Sequence, residues 1–194
     1  MITIDKIILL LIRNAGGMIS GKTLIQKRIY FLGKLLNRDD GYGAHYYGPY
    51  SSEVEEGLSL NKALGFVEQR THNFGARNQD FEIRRYDYSL TPDGDEIVQI
   101  TEKKEPKECE KIIDALKKMK DAGDNGDYMS LSIAAKTYYI LSKQNRPMTS
   151  GDIHKEAKKL GWEINSESIS RASSFLKKLQ LIDNNSTFAV RKRG

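Results

Sequence analysis

The sequence predicts a mainly α protein with small β-hairpins, an α+β chain of two tandem units that each run helix, helix, helix, hairpin. Three observations carry this prediction. Apolar residues recur at helical spacing over most of the chain. Each helical stretch is followed by paired β-prone segments, GFVEQR and RRYDYSL at 65–70 and 84–90, then the two arms of LIDNNSTFAVRKRG at 181–194. Between the units, DAGDNGDYMS at 121–130 gathers Gly, Asp and Asn with almost nothing apolar, the composition of a linker. The units are therefore 1–120, with additional helices at its end, and 131–194.

In the first unit, Ile4, Ile7, Ile8, Leu11 and Ile12 mark a helix that the glycines of NAGG stop. A second begins near Ser20 as N-cap and carries Leu24, Ile25, Ile29, Phe31, Leu32 and Leu36. After the turn-rich aromatic loop RDDGYGAHYYGPY, Ser52 and Glu55 have capping-box spacing, and Val54, Leu58 and Leu64 give a third helix its apolar side. The two strands follow, joined through THNFGARNQD. Thr91 before Pro92 opens a further helix. Over 106–120, Ile112, Ile113, Leu116 and Met119 line one face of another, a stripe suited either to packing on its own unit or to a homodimer.

The second unit repeats the plan more compactly. Leu131, Ile133, Ala134, Tyr138, Ile140 and Leu141 make its first helix, and NRPMT breaks it. Thr149 caps a short second helix through Ile153, Ala157 and Leu160, GWEI turns the chain, and Asn165 caps a third. There Ile169, Ala172, Leu176 and Leu179 follow a 3-4-3 spacing, which buries one face and frees the other. Three helices and a hairpin, with a short turn between the second and third helices, form the winged helix-turn-helix pattern, and the chain shows it twice.

Composition limits the function classes. A chain of 194 residues with 39% hydrophobic and 29% charged residues is neither disordered nor membrane-embedded in character. Its longest apolar run, Ile7 to Ile12, is too short to span a bilayer, is flanked by Asp5, Lys6 and Arg13, and precedes no small-residue cleavage site. One cysteine, Cys109, permits no intramolecular disulfide and no cysteine metal cluster, so a reducing, cytoplasmic setting is expected. From Gly126 onward there are 12 Lys and Arg against 6 Asp and Glu, whereas the preceding residues carry 19 against 20. The excess positive charge thus lies in the last third, where it suits a polyanion.

One motif points elsewhere. GGMISGKT, 16–23, matches the phosphate-loop template G-x-x-x-x-G-K-[ST] through Gly16, Gly21, Lys22 and Thr23. A working loop joins a buried parallel strand to a helix within alternating strands and helices, and that alternation is missing here. Met18 and Ile19 suit a short strand better than a phosphate cradle. A P-loop NTPase is therefore a remote alternative, and no enzyme and no cofactor is expected. His45, His72 and His154 have no ligand spacing, so no metal is expected either.

The stretches GKTLIQKRIYFL, HYYGPYSSEVEEGL, ALGFVE and YSLTPDGDEI together resemble the YwgA-like winged-helix proteins and, more distantly, SocA/Panacea-type antitoxin domains, over residues of about 1–100. The resemblance implies the fold of the first unit and no catalytic residue. In the antitoxin branch it implies neutralisation of a partner protein.

Read without the family, Gly48 and Pro49 make a rigid turn, Tyr46, Tyr47 and Tyr50 close the core over it, and Ser52 caps the next helix. A binding reading instead makes His45, Tyr47 and Tyr50, with Glu53 and Glu56, a partner surface. Glu53, Glu55 and Glu56 would repel phosphate from the third helix of the first unit, although Arg70, His72, Arg77, Arg84 and Arg85 on its hairpin suit it. The corresponding helix of the second unit offers Ser166, Ser170, Arg171, Ser174, Lys177 and Lys178, with Glu167 placed to pair with Arg171. Small hydroxyls with a few cations suit groove entry, Arg for guanine and Ser for phosphate or base edges. Lys155, Lys158 and Lys159 then reach backbone phosphates, and Arg191, Lys192 and Arg193 sit on the wing. The favoured expectation is double-stranded DNA binding by a transcriptional regulator, and the second is a protein-interaction module, an antitoxin or adaptor.

Overall fold

Eleven elements build the computed structural model, which describes residues 2–75, 82–183 and 187–191. They are α1 (Ile4–Asn14), β1 (Met18–Ser20), α2 (Lys22–Leu35), α3 (Ser52–Ala63), β2 (Val67–Gly75) and β3 (Glu82–Leu90), followed by α4 (Pro92–Lys104) and α5 (Pro106–Ala122). After them come α6 (Tyr128–Gln144), α7 (Ser150–Lys159) and α8 (Ser166–Lys178). The protein is mainly helical, with one small antiparallel sheet in the order β1–β3–β2. Among the described residues no helix is long and apolar enough to cross a membrane.

α1 is sheathed on all sides. Every residue from Ile7 to Ile12 is buried, because α3, α4, α5 and the sheet pack around it. The expected single apolar face is therefore too narrow, since Leu9 and Leu10 lie in the core as well. Gly57 lets α3 approach closely: a Cβ there would come within 2.7 Å of the Ile4 side chain.

Met18 and Ile19 form the short strand their side chains suggest, paired with Ser89 and Tyr88 of β3. Ser20 consequently belongs to β1 rather than capping α2. Its hydroxyl accepts from the Arg85 guanidinium at 2.7 Å, and Gly21 occupies the cap position. The third helix also starts one residue early. Ser51 is its cap, accepting from the Val54 N–H, while Glu55 turns to Lys22 at 3.0 Å instead of closing a capping box. Thr91 caps α4 as expected, accepting from the Gly94 N–H at 3.1 Å while donating to the Gly65 carbonyl at 2.7 Å.

The hydrogen bond to Gly65 draws the start of α4 onto the end of α3. Only glycine fits at 94, because a Cβ would overlap the Phe66 carbonyl oxygen. Gly94→Ala is expected to cost about 1–3 kcal/mol through forced backbone displacement, read as a lower urea midpoint at unchanged m-value.

The irregular segment between the halves is shorter than the predicted 121–130. α5 runs through Ala122, Gly123 ends it in the left-handed region at φ 120°, and Asp127 caps α6 by accepting from the Met129 and Ser130 N–H groups. The bidentate ion pair of Arg28 with Asp124, at 2.7 and 3.0 Å, ties this turn to α2. One apolar cluster then runs from Ile2 to Ile182. Tyr30 of α2 meets Tyr138 of α6 at 6.3 Å between ring centroids, and Phe31 meets Phe175 of α8 at 5.3 Å.

In the C-terminal part, Met148 pairs with Phe188, and Ile182 with Val190. The predicted Asn-Asn turn at 184–185 lies outside the described residues. So do Arg77, Lys192 and Arg193.

Candidate nucleic-acid interface

Local chemistry sets α7 and α8. Thr149 and Asp152 form a reciprocal capping box at the start of α7. Asn165 starts α8 by accepting from the Ser168 N–H at 2.8 Å. Between them Trp162, 1% exposed, anchors the turn and donates its Nε1–H to the His45 carbonyl at 2.7 Å.

The 3-4-3 spacing then decides which side of α8 is wet. Ile169, Ala172, Ser173 and Leu176 are buried, leaving Ser166, Ser170, Arg171, Ser174 and Lys178 exposed. Arg171 pairs with Glu167 at 3.0 Å, as the i,i+4 spacing predicts. This row divides in two. Arg171, Ser174 and Lys178 line a cavity of about 370 Å³ whose far wall is the α5–α6 turn and the first turn of α6, whereas Ser166 and Ser170 are not part of it. Lys177 is half-buried with its ammonium 5.6 Å above the Phe188 ring, a packing cation rather than an open one.

Lys155, Lys158 and Lys159 are exposed along α7. Lys159 holds Glu156 at 2.6 Å, while Lys155 and Lys158 make no ion pair among the described residues. Arg191 follows the bridged Val190, its N–H donating to the Leu181 carbonyl at 3.0 Å. It lines a cavity with Lys34, Asn37, Arg38 and Asp39 at the end of α2, where Arg38 is already held by Asp40 at 3.3 Å. Sequence reasoning misses this proximity, because nothing local links residue 34 to residue 191.

The hairpin of the first half is less open to phosphate than its composition suggests. Arg70 holds Glu68 at 3.3 Å, and Asp87 takes both His72 at 3.0 Å and Arg85 at 3.2 Å. α3 keeps its acidic character, with Glu53 and Glu56 exposed.

The aromatic turn corrects one expectation. Tyr46 and Tyr47 do not close the core: they are 72% and 57% exposed, stacked edge to face at 4.9 Å. His45 is exposed too, its ring tilted against the half-buried Tyr50 at 5.1 Å. The core is closed instead by polar residues of α2. Gln26 brackets Ser51, its Nε2 donating to the Ser51 carbonyl at 2.9 Å and its Oε1 accepting from the Ser51 N–H at 3.1 Å. Lys27, 2% exposed, donates to the Pro49 carbonyl at 2.6 Å. The LIQK and GPYS stretches are thus two halves of one clamp. Gly48 completes it at φ 97°, where a Cβ would come within 3.0 Å of Lys136.

The clamp carries an electrostatic cost. Burial first, and then the nearby Lys136 ammonium, push Lys27 down to about 8. Burial also lowers Lys136, whose ammonium lies 5.6 Å from the Trp162 ring centroid. Tyr50 is raised by burial and by the Glu55 carboxylate.

The GGMISGKT segment has the wrong surroundings for a phosphate loop. It leaves a helix, α1, passes through an antiparallel strand and enters α2 with Lys22 bound to Glu55. Among the described residues no group of three His, Cys, Asp or Glu side chains could hold a metal ion. His154 is occupied by the Ile164 carbonyl at 2.6 Å. No protein-family model matches this chain, and a search of the curated proteins finds no match.

Proposed function

We propose that this protein binds duplex DNA through α8, as a transcriptional regulator made of two winged helix-turn-helix units and similar in its first unit to the YwgA-like proteins. The element order α1, β1, α2, α3, β2, β3 with sheet order β1–β3–β2 supports the fold part of the reading. The bridges Met148–Phe188 and Ile182–Val190, beside α6, α7 and α8, support the same reading for the second unit. A reducing cytoplasm is the setting that fits a lone buried cysteine and this role.

The observation that carries the function is the solvent face of α8. It presents Ser166, Ser170, Arg171, Ser174 and Lys178, and α7 beside it presents Lys155, Lys158 and Lys159. In the proposed complex α8 enters the major groove and α7 crosses the backbone. A fluorescence anisotropy titration with a mixed-sequence 25-bp duplex tests this. Arg171→Ala with Lys178→Ala should weaken binding about tenfold or more and lower the salt slope by about 1–2. Unchanged affinity and slope would overturn the proposal.

A second reading, a protein-interaction module of antitoxin or adaptor type, rests on the exposed Tyr46–Tyr47 pair beside His45 and Tyr50, with Glu53 and Glu56 on α3. Exposed aromatic rings of this kind are enriched at protein interfaces. Absence of duplex affinity in the unaltered protein, with recovery of a stoichiometric partner that Tyr47→Ala loses, would favour it.

A further inference from the structure

The segment that mimics a phosphate loop has a second property. β1 is an edge strand, since it pairs with β3 alone. The ladder uses alternate residues: the Gly17 carbonyl accepts from the Leu90 N–H at 2.9 Å, the Gly21 N–H donates to the Tyr86 carbonyl at 2.8 Å, and Ile19 faces Tyr88 between them. In an antiparallel pair this alternation turns the N–H and C=O groups of the intervening residues, Met18 and Ser20, away from β3. Four backbone groups at strand spacing therefore point to the open edge.

That edge does not face bulk solvent alone. It borders a groove of about 850 Å³ between β1 and α5, with Ile113 and Leu116 on the opposite wall. The apolar stripe of α5 is divided accordingly: Ile112 and Met119 are buried in the core, while Ile113 and Leu116 are half-buried at the groove. Met18, 49% exposed, adds a flexible apolar side chain at the edge. The flanking Gly16, Gly17 and Gly21 leave the approach clear, since a Cβ at any of them would meet nothing within 4 Å.

Charge selects the occupant. Lys117 and Lys120 stand on the rim, exposed and without an ion pair among the described residues. The carboxylate that lines the groove, Asp124, is neutralised by the bidentate contact of Arg28. An extended acidic chain would find backbone partners on β1, apolar contacts on Ile113 and Leu116, and cations at the rim. We infer that β1 and α5 form a docking groove for an acidic, extended peptide segment of a partner protein, which adds as a strand to the free edge of β1. This groove adjoins the cavity beside α8 through Asp124 and Asn125 of the α5–α6 turn, but docking in it does not require DNA binding.

The test uses the full chain and fluorescein-labelled peptides with alternating Glu and Val or Leu, nine residues long, followed by anisotropy. The acidic peptide should bind with a dissociation constant of about 10–100 μM, and its Lys-for-Glu counterpart at least about tenfold more weakly. Two further measurements separate strand addition from general charge attraction. N-methylation of alternate peptide amides should abolish binding in one set of positions and spare it in the other, because only one edge of the peptide meets β1. Lys117→Glu with Lys120→Glu, at exposed positions that leave the fold intact, should weaken the acidic peptide by about tenfold or more. No binding at 1 mM, equal loss from both N-methylated sets, or insensitivity to the charge reversals would each overturn the inference. So would self-association of the free chain that the same two substitutions abolish, since the groove would then receive a second copy.

Discussion

Trp162→Ala is expected to lower stability by about 3–5 kcal/mol, the range for removing a fully buried aromatic side chain. The indole is 1% exposed, packs edge to face on Tyr139 at 5.8 Å and carries the bond to the His45 carbonyl at 2.7 Å. Truncation opens a cavity between α6 and the α7–α8 turn and removes one of the two donors to that carbonyl, leaving it the Gly48 N–H at 2.9 Å. The same residue ties the aromatic turn of the first half to the helices of the second, so both lose support together. Urea unfolding followed by circular dichroism measures the loss. Trp162→Phe separates its two parts: the ring is largely kept and the hydrogen bond removed, so its cost should be nearer 1 kcal/mol. Equal losses for the two variants would show that the hydrogen bond, not the packing, holds the turn. Because the chain has 1 Trp, excitation of the wild-type indole reports this junction without interference from other tryptophans.

The second large effect is a pH dependence. Lys27 has its pKa lowered from 10.5 to about 8 in the folded protein, first by burial and then by Lys136. Below about 8 the side chain is charged in both states, and folding bears the full cost of placing an ammonium in the core. Between about 8 and 10.5 the unfolded chain binds more protons than the folded one, so stability rises with pH across this window. The full change corresponds to about 3 kcal/mol. Lys27→Met keeps the length of the side chain and removes the titration. Wild-type stability minus variant stability should therefore climb by about 3 kcal/mol from pH 7 to pH 11, measured by urea denaturation at each pH. A flat difference would show that water reaches the ammonium and that the Pro49 contact is solvated.

How far the fold could be read in advance depends on how local its causes are. Thr91, Thr149 and Asn165 were legible because a cap acts within three residues of itself, and each accepts the N–H its position implies. The wet face of α8 was legible because helical period alone separates Ile169 and Leu176 from Ser170 and Ser174. Lys27 was not, since a lysine in a helix ordinarily reaches solvent and only the arrival of α6 and the 45–50 turn buries it. Tyr46 and Tyr47 failed in the opposite direction. Their apolar rings suggested packing, yet Gln26 and Lys27 already satisfy the turn, which leaves the rings outside. The position of Arg191 beside Lys34 and Arg38 is likewise set by the packing of the two halves, not by any neighbour in sequence.

The helix without a wet side has an evolutionary consequence. An ordinary surface helix can exchange about half its residues freely, because one face touches only water. α1 offers no such face over Ile7–Ile12. A polar side chain at any of these positions would enter the core without a hydrogen-bond partner, and a larger apolar one would press on α3, α4 or α5. Drift along this stretch is therefore confined to exchanges among aliphatic side chains of similar volume, while the exposed rows of α7 and α8 are free to diverge with whatever they bind.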